Sequence, residues 1–147
     1  MKEVIIHIEI CREGITLPKY ANLFDAGMDV SAAEDVKLFP NKTVVIPTGL
    51  KVAIPEGYEI QVRPRSGLSL KTPLRIANAP GTIDTYFRNE IGIIVTNTDG
   101  AFYHIKKGDR IAQIVLSEVP RIKWEQVNDI TIIKGDRGGG FGSTGSN

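Results

Sequence analysis

Alternation is the strongest constraint on this chain. In residues 4–10 the apolar positions Ile6, Ile8 and Ile10 alternate with His7 and Glu9, the pattern of a half-buried strand. Residues 50–54 repeat it after the Pro47-Thr48-Gly49 turn, and residues 58–63 after Pro55-Glu56-Gly57. Further β-rich runs cover 91–96, 110–116, 122–127 and 130–133, with turn clusters between them. Only residues 66–78 have room for a short helix, and Pro73 limits it. Short strands at this spacing predict an all-β chain, with antiparallel sheets folded on themselves as a sandwich or barrel. No internal repeat interrupts the pattern.

The bulk numbers exclude several classes. The 147 residues suit one domain, and 41% hydrophobic with 24% charged residues suits a packed core. A net charge of +1 supplies no basic excess for holding nucleic acid by counterion release, so no stable nucleic-acid binding is expected. Cys11 is the single cysteine, which forbids an intrachain disulfide and reads as a small buried hydrophobe. His7 and His104 lack cysteine partners at zinc spacing. The start Met1-Lys2-Glu3-Val4 lacks the apolar run of a signal peptide, and no window approaches membrane-spanning length. The expected location is the cytoplasm, with no membrane contact.

Five polar clusters interrupt the strands. Asp29 follows the small residues Ala26 and Gly27, where a carboxylate can approach an ion or water. Arg65-Ser66-Gly67 stands where a strand ends and a helical turn begins; outward N–H groups, a cation and a hydroxyl favour phosphate oxygens there. In residues 78–90, Pro80 and Gly81 set a turn, Ile83 points inward and Asp84 to the opposite face. Taken alone, Asp84 reads first as a solvated turn residue or cap and only second as a functional carboxylate. Gln113 is a polar residue in an apolar run and needs a partner where buried. The tail from Arg137 is too glycine-rich to form a core, yet it carries a cation and the flat ring of Phe141, as a lid over a nucleotide requires.

In this order the clusters resemble the five motifs of the trimeric dUTPase family: Ala26-Gly27-Met28-Asp29, Arg65-Ser66-Gly67, Gly81-Thr82-Ile83-Asp84, Gly108-Asp109-Arg110-Ile111-Ala112-Gln113, and the arm from Arg137 to Gly145. The resemblance implies a jelly-roll-like β-barrel assembled as a homotrimer. Residues 1–147 would form one domain, and 136–147 an arm that closes over a neighbouring subunit's site. It implies hydrolysis of dUTP to dUMP and pyrophosphate with Mg²⁺, limiting uracil in DNA and supplying dUMP for thymidylate synthesis.

The resemblance also assigns roles. Asp84 would orient and deprotonate the attacking water, and Asp29 would reach the water shell of a metal held mainly on the triphosphate. Arg65, Ser66, Gly67 and Gln113 would contact phosphate. Asn78, Gly81 and Ile83 would form the hairpin that selects uracil, with a close backbone excluding a 5-methyl group. Arg137 would clamp the γ-phosphate, Phe141 would cover the base, and Gly142, Ser143 and Thr144 would complete the lid.

Two departures from the family pattern stand out. Phe87 occupies the position where the family usually has tyrosine packed on the deoxyribose, with Tyr86 one place earlier. The run from Arg137 to Phe141 is one residue shorter than usual. Two rivals remain on the same scaffold. A dCTP deaminase would release ammonia instead of pyrophosphate. A regulatory nucleotide-binding protein would have no need of the paired aspartates.

Overall fold

The computed structural model describes residues 1–142 and 145. Eleven strands and one short helix follow each other in chain order. The strands are β1 (His7–Ile10), β2 (Met28–Ser31), β3 (Val36–Leu38), β4 (Thr43–Pro47), β5 (Leu50–Ala53) and β6 (Tyr58–Arg63). After α1 (Ser66–Lys71) come β7 (Leu74–Ile76), β8 (Gly81–Ile83), β9 (Gly92–Asn97), β10 (Tyr103–Ile105) and β11 (Arg110–Glu118). The all-β class holds, and the one helix lies inside the window with room for it. All described pairings are antiparallel: β2-β11-β6-β8, β4-β9-β7, β1-β5 and β10-β3. Among the described residues these ladders do not join into a closed barrel.

The period-two pattern builds the core. Along β6, Ile60 and Val62 are buried, whereas Gln61 and Arg63 face the other side. Val30, Ala112, Val62, Ile60 and Ile83 bring the four-stranded sheet onto Leu38, Ile46, Ile93 and Val95. Among the described residues two polar side chains are fully buried, and both are satisfied. Asn97 Nδ2 donates to the carbonyls of Leu38 (3.2 Å) and Ala101 (2.8 Å), and its Oδ1 accepts from Asp99 N–H. Thr48 Oγ1 donates to Ile91 O at 2.7 Å. An unpartnered polar group at either place would cost about 1–3 kcal/mol.

Four local expectations fail, the first two for want of a neighbour. The first strand is shorter than its alternation, and Ile8 and Ile10 are 39% and 42% exposed. Among the described residues its ladder partner is β5. Residues 122–127 join no described ladder, and Ile122 is exposed and Trp124 84% exposed. Residues 130–132 form a 3-10 turn because Asp129 Oδ1 accepts from both N–H and hydroxyl of Thr131, a local bond that competes with strand pairing. Cys11 is half-buried, not fully buried as the sequence suggests.

Candidate active site

The first, second and fourth clusters meet on the outer face of the four-stranded sheet. Asp29 on β2 pairs in register with Gln113 on β11, so the two side chains leave the same face. Arg65 stands at the N-cap position of α1 and turns its side chain across to them. Its Nε donates to Asp29 Oδ1 at 3.0 Å and its NH1 to Arg110 O at 3.1 Å. Arg110 NH1 approaches the other carboxylate oxygen at 3.5 Å. Gln113 Nε2 donates to Pro64 O at 2.9 Å, so the glutamine is tied to the chain entering Arg65. Ser66 and Gly67 open α1 and are exposed, and no side chain caps their turn.

Gly27 explains the small residues before Asp29. A Cβ there would stand 2.7 Å from Gln113 Oε1 and 3.2 Å from Ile114 O. The glycine lets β2 lie close against β11 at the point where Gln113 needs room.

The third cluster builds a separate feature. Asn78, Gly81, Ile83 and Phe87 border a narrow cleft of about 150 Å³, whose floor includes Val62 and Ile94. At Gly81 the backbone itself is the wall: an added Cβ would come within 3.2 Å of Val62 and 3.3 Å of Asn78 Nδ2. Asp84 follows directly, exposed, beyond the buried Ile83, as strand alternation requires. A tight turn then brings Phe87 back to the cleft. Phe87 N–H donates to Thr85 O (3.0 Å) and Asp84 O (3.2 Å), and Thr85 Oγ1 donates to Ile54 O at 2.6 Å. Tyr86 adopts the left-handed region (φ 72°), points outward and hydrogen-bonds Glu56 through its hydroxyl. The phenol is therefore committed away from the cleft, and Phe87 alone presents a ring to it.

These two features do not meet within one chain. Asp29 lies on β2 and Asp84 follows β8, at opposite edges of the order β2-β11-β6-β8, about 14 Å apart across the sheet. Along the sheet Asp84 lies beyond the Ile60–Ile83 pair, while Gln113 pairs with Arg63 at the far end of β6. The tail stands apart from both. Arg137 and Gly142 are exposed, Phe141 is fully exposed among the described residues, and Gly138 and Gly142 take positive φ. Ser143 and Thr144 lie outside the described residues.

A larger cleft of about 580 Å³ is lined by Arg12, Glu13, Ala33, Glu34, Asp35 and Lys107 and holds none of the expected site residues. It is an open groove between ion pairs. Arg12 donates to Glu90 through Nε (2.7 Å) and NH2 (3.0 Å), and Glu90 Oε2 also accepts Gly49 N–H at 2.8 Å. The Arg12 guanidinium holds the Glu90 carboxylate below its ordinary range, with the Gly49 N–H adding to it and partial burial opposing it. This clip anchors the chain just past the Asp84 turn.

Sequence reasoning overlooked Arg110 as a partner of Asp29, although it stands within the fourth cluster. It also overlooked Ile91, Gly92 and Ile94 as cleft-lining residues, for which no signal short of the β4-β9-β7 register existed.

Comparison with known proteins places this architecture. The dUTPase family model matches residues 13–145. The deoxyuridine 5'-triphosphate nucleotidohydrolase of Fusobacterium nucleatum is 45% identical over 148 aligned positions, covering 99% of both chains. That of Anaplasma marginale is 46% identical over 136 positions, covering 90% of this chain and 91% of its own. Among solved structures, the Staphylococcus bacteriophage 80alpha dUTPase with dUPNHPP superimposes with a TM-score of 0.83 at 29% identity, covering 97% of this chain and 99% of its own. A variant dUTPase of S. aureus phage phi11, described with a coordinated structural Mg(II) ion, gives 0.79 at 29% identity over 86% of this chain and 99% of its own. The sheet order, the two clustered features and these matches along nearly the whole length agree, and the chain belongs to the dUTPase family.

Proposed function

We propose that the protein hydrolyses dUTP to dUMP and pyrophosphate, through attack of an Asp84-activated water on the α-phosphate. Family membership and the names of its relatives support the reaction class. The observation that carries the substrate is the cleft beside Asp84. It is narrow, largely apolar, walled by backbone at Gly81 and edged by the Asn78 amide. A pyrimidine fits with its polar edge to Asn78 and the β8 backbone. A 5-methyl group meets the close wall. A cytosine presents a donor where the site expects an acceptor, leaving buried polar groups unpaired. Phe87 at the mouth packs on the sugar and leaves little room for a 2′-hydroxyl.

In the step itself, Asp84 orients a water in line with the α-phosphorus and takes its proton as the new P–O bond forms. The bond to the bridging oxygen breaks, and pyrophosphate leaves with that oxygen. Arg65, the Ser66 hydroxyl, the Gly67 backbone and Gln113 hold the phosphate oxygens. Arg137 closes on the γ-phosphate, and Phe141 with Gly142, Ser143 and Thr144 seals the base from water.

The donor set fits a magnesium ion brought in on the substrate. No group of three His, Cys, Asp or Glu side chains gathers among the described residues. Asp29 is already ion-paired by Arg65 and Arg110 but keeps lone pairs for a metal-bound water. When bound on the triphosphate, Mg²⁺ would supply charge neutralisation and orientation of the phosphates.

The separation of Asp84 from Asp29 and Gln113 supports a site shared between subunits of a homotrimer. A single domain of residues 1–147 would contribute both halves to different sites, with 136–147 as the arm. The unpaired apolar residues of β1 and around Trp124 supply surface for that assembly. The physiological role follows from the chemistry: removing dUTP limits uracil in DNA, and dUMP feeds thymidylate synthesis in the cytoplasm. Pyrophosphate release measured with dUTP, dCTP, dTTP and UTP, with and without Mg²⁺, tests the reading. Turnover confined to dUTP and dependent on Mg²⁺ is expected; ammonia released from dCTP would overturn it.

A further inference from the structure

We propose that Arg63 is an additional phosphate-binding residue, continuing the Asp29–Gln113 row on the far side of Gln113. The proposal rests on the reading of Gln113 as a phosphate contact. On β6, Arg63 pairs in register with Gln113, which pairs in register with Asp29. Residues opposed in an antiparallel ladder leave the same face with Cβ atoms about 4.5–5.5 Å apart. The neighbouring Val62 is buried on the core face, so Arg63 stands on the outer face with Asp29 and Gln113. An anion that touches the Gln113 amide therefore lies within reach of the Arg63 guanidinium.

The charge at Arg63 is also uncommitted. Asp29 is the carboxylate of this cluster, and Arg65 and Arg110 take its two oxygens. Among the described residues no carboxylate pairs with Arg63. Its hydrogen-bond partner is the neutral Gln61 Oε1, which accepts from Nε at 3.0 Å and NH2 at 2.8 Å. Gln61 lies two residues back on the same face, so it fixes the plane of the guanidinium without neutralising it. Two of the five N–H donors are used and three remain. A half-buried, pre-oriented and uncompensated guanidinium is suited to an oxyanion. Three arginines against one aspartate match the several charges of a triphosphate.

The test is calorimetric titration of the full-length native protein, Arg63→Gln and Arg63→Lys with two ligands. One is the non-hydrolysable dUPNHPP; the other is deoxyuridine, which fills the base cleft without phosphate. Arg63→Gln is expected to weaken dUPNHPP about tenfold and leave deoxyuridine within about twofold of native, with Arg63→Lys losing less. An unchanged ratio of the two affinities overturns the proposal. If Arg63→Gln fails to assemble and Arg63→Lys keeps the native ratio, the residue is a subunit contact and the proposal also falls. A native protein that binds deoxyuridine but not dUPNHPP sinks the phosphate reading of Gln113 and this inference together.

Discussion

Asp84 is exposed one residue beyond a buried isoleucine, on a turn fixed by Thr85 and the Phe87 N–H. Its carboxylate is therefore placed by backbone, not by side-chain partners, and Asp84→Asn changes the chemistry without moving the cleft. That variant is expected to bind dUPNHPP as native while kcat falls at least about 10²-fold; a near-native rate removes Asp84 from the role of base. Phe87 tests the sugar. Phe87→Ala is expected to raise the kcat/KM ratio of UTP to dUTP, and an unmoved ratio assigns the discrimination elsewhere. Glu90 gives a pH dependence. Arg12 lowers its value in the fold below the ordinary 4.5, so its stabilisation is present above that value and disappears as pH falls through the folded one. The gap in melting temperature between native and Glu90→Gln protein should be full and constant above pH 4.5 and close as pH falls below it. Parallel curves would remove Glu90 from the acid transition. At this scale, alternation alone read Ile83 inward and Asp84 outward. It was silent on the Arg12–Glu90 clip, because its partners are 78 residues apart.

The elements carry the site through register. Gly27 lets β2 close on β11, and the same closeness leaves Gln113 room to reach Pro64. Gly27→Ala pushes against the flexible end of Gln113 and against the Ile114 carbonyl. It is expected to reduce kcat/KM several-fold with only a small change in melting temperature; a native kcat/KM would show that the glutamine's placement is not critical. The arm is an element without a core, so removing it leaves the described ladders intact. Truncation before Arg137 should yield an assembled protein with little turnover, and full activity would make the tail a plain linker. Strands with partners on both edges were legible, β6 from its alternation and β9 from its β-rich run. Residues 122–127 carry the same signal but find no edge in their own chain, and a pattern of apolar residues does not say whose surface covers it.

For the whole molecule, the decisive fact is that the Asp84 cleft and the Asp29–Gln113 cluster lie at opposite edges of one sheet. Subunits that each supply one half to a shared site predict complementation. Asp84→Asn and Arg65→Ala are each expected to be nearly inactive. Unfolded together and reassembled as an equal mixture, they place an intact half against an intact half in about a quarter of the sites of a random trimer. Recovery near that fraction supports sharing, whereas no recovery means each chain completes its own site. The exposure of Trp124 has a spectroscopic consequence. It is the sole tryptophan, and in one chain the residue is 84% exposed. If a neighbouring copy covers it, dilution to the point of dissociation shifts the emission maximum to longer wavelength. The intrinsic fluorescence of the unlabelled protein then becomes a titration of its own subunit association.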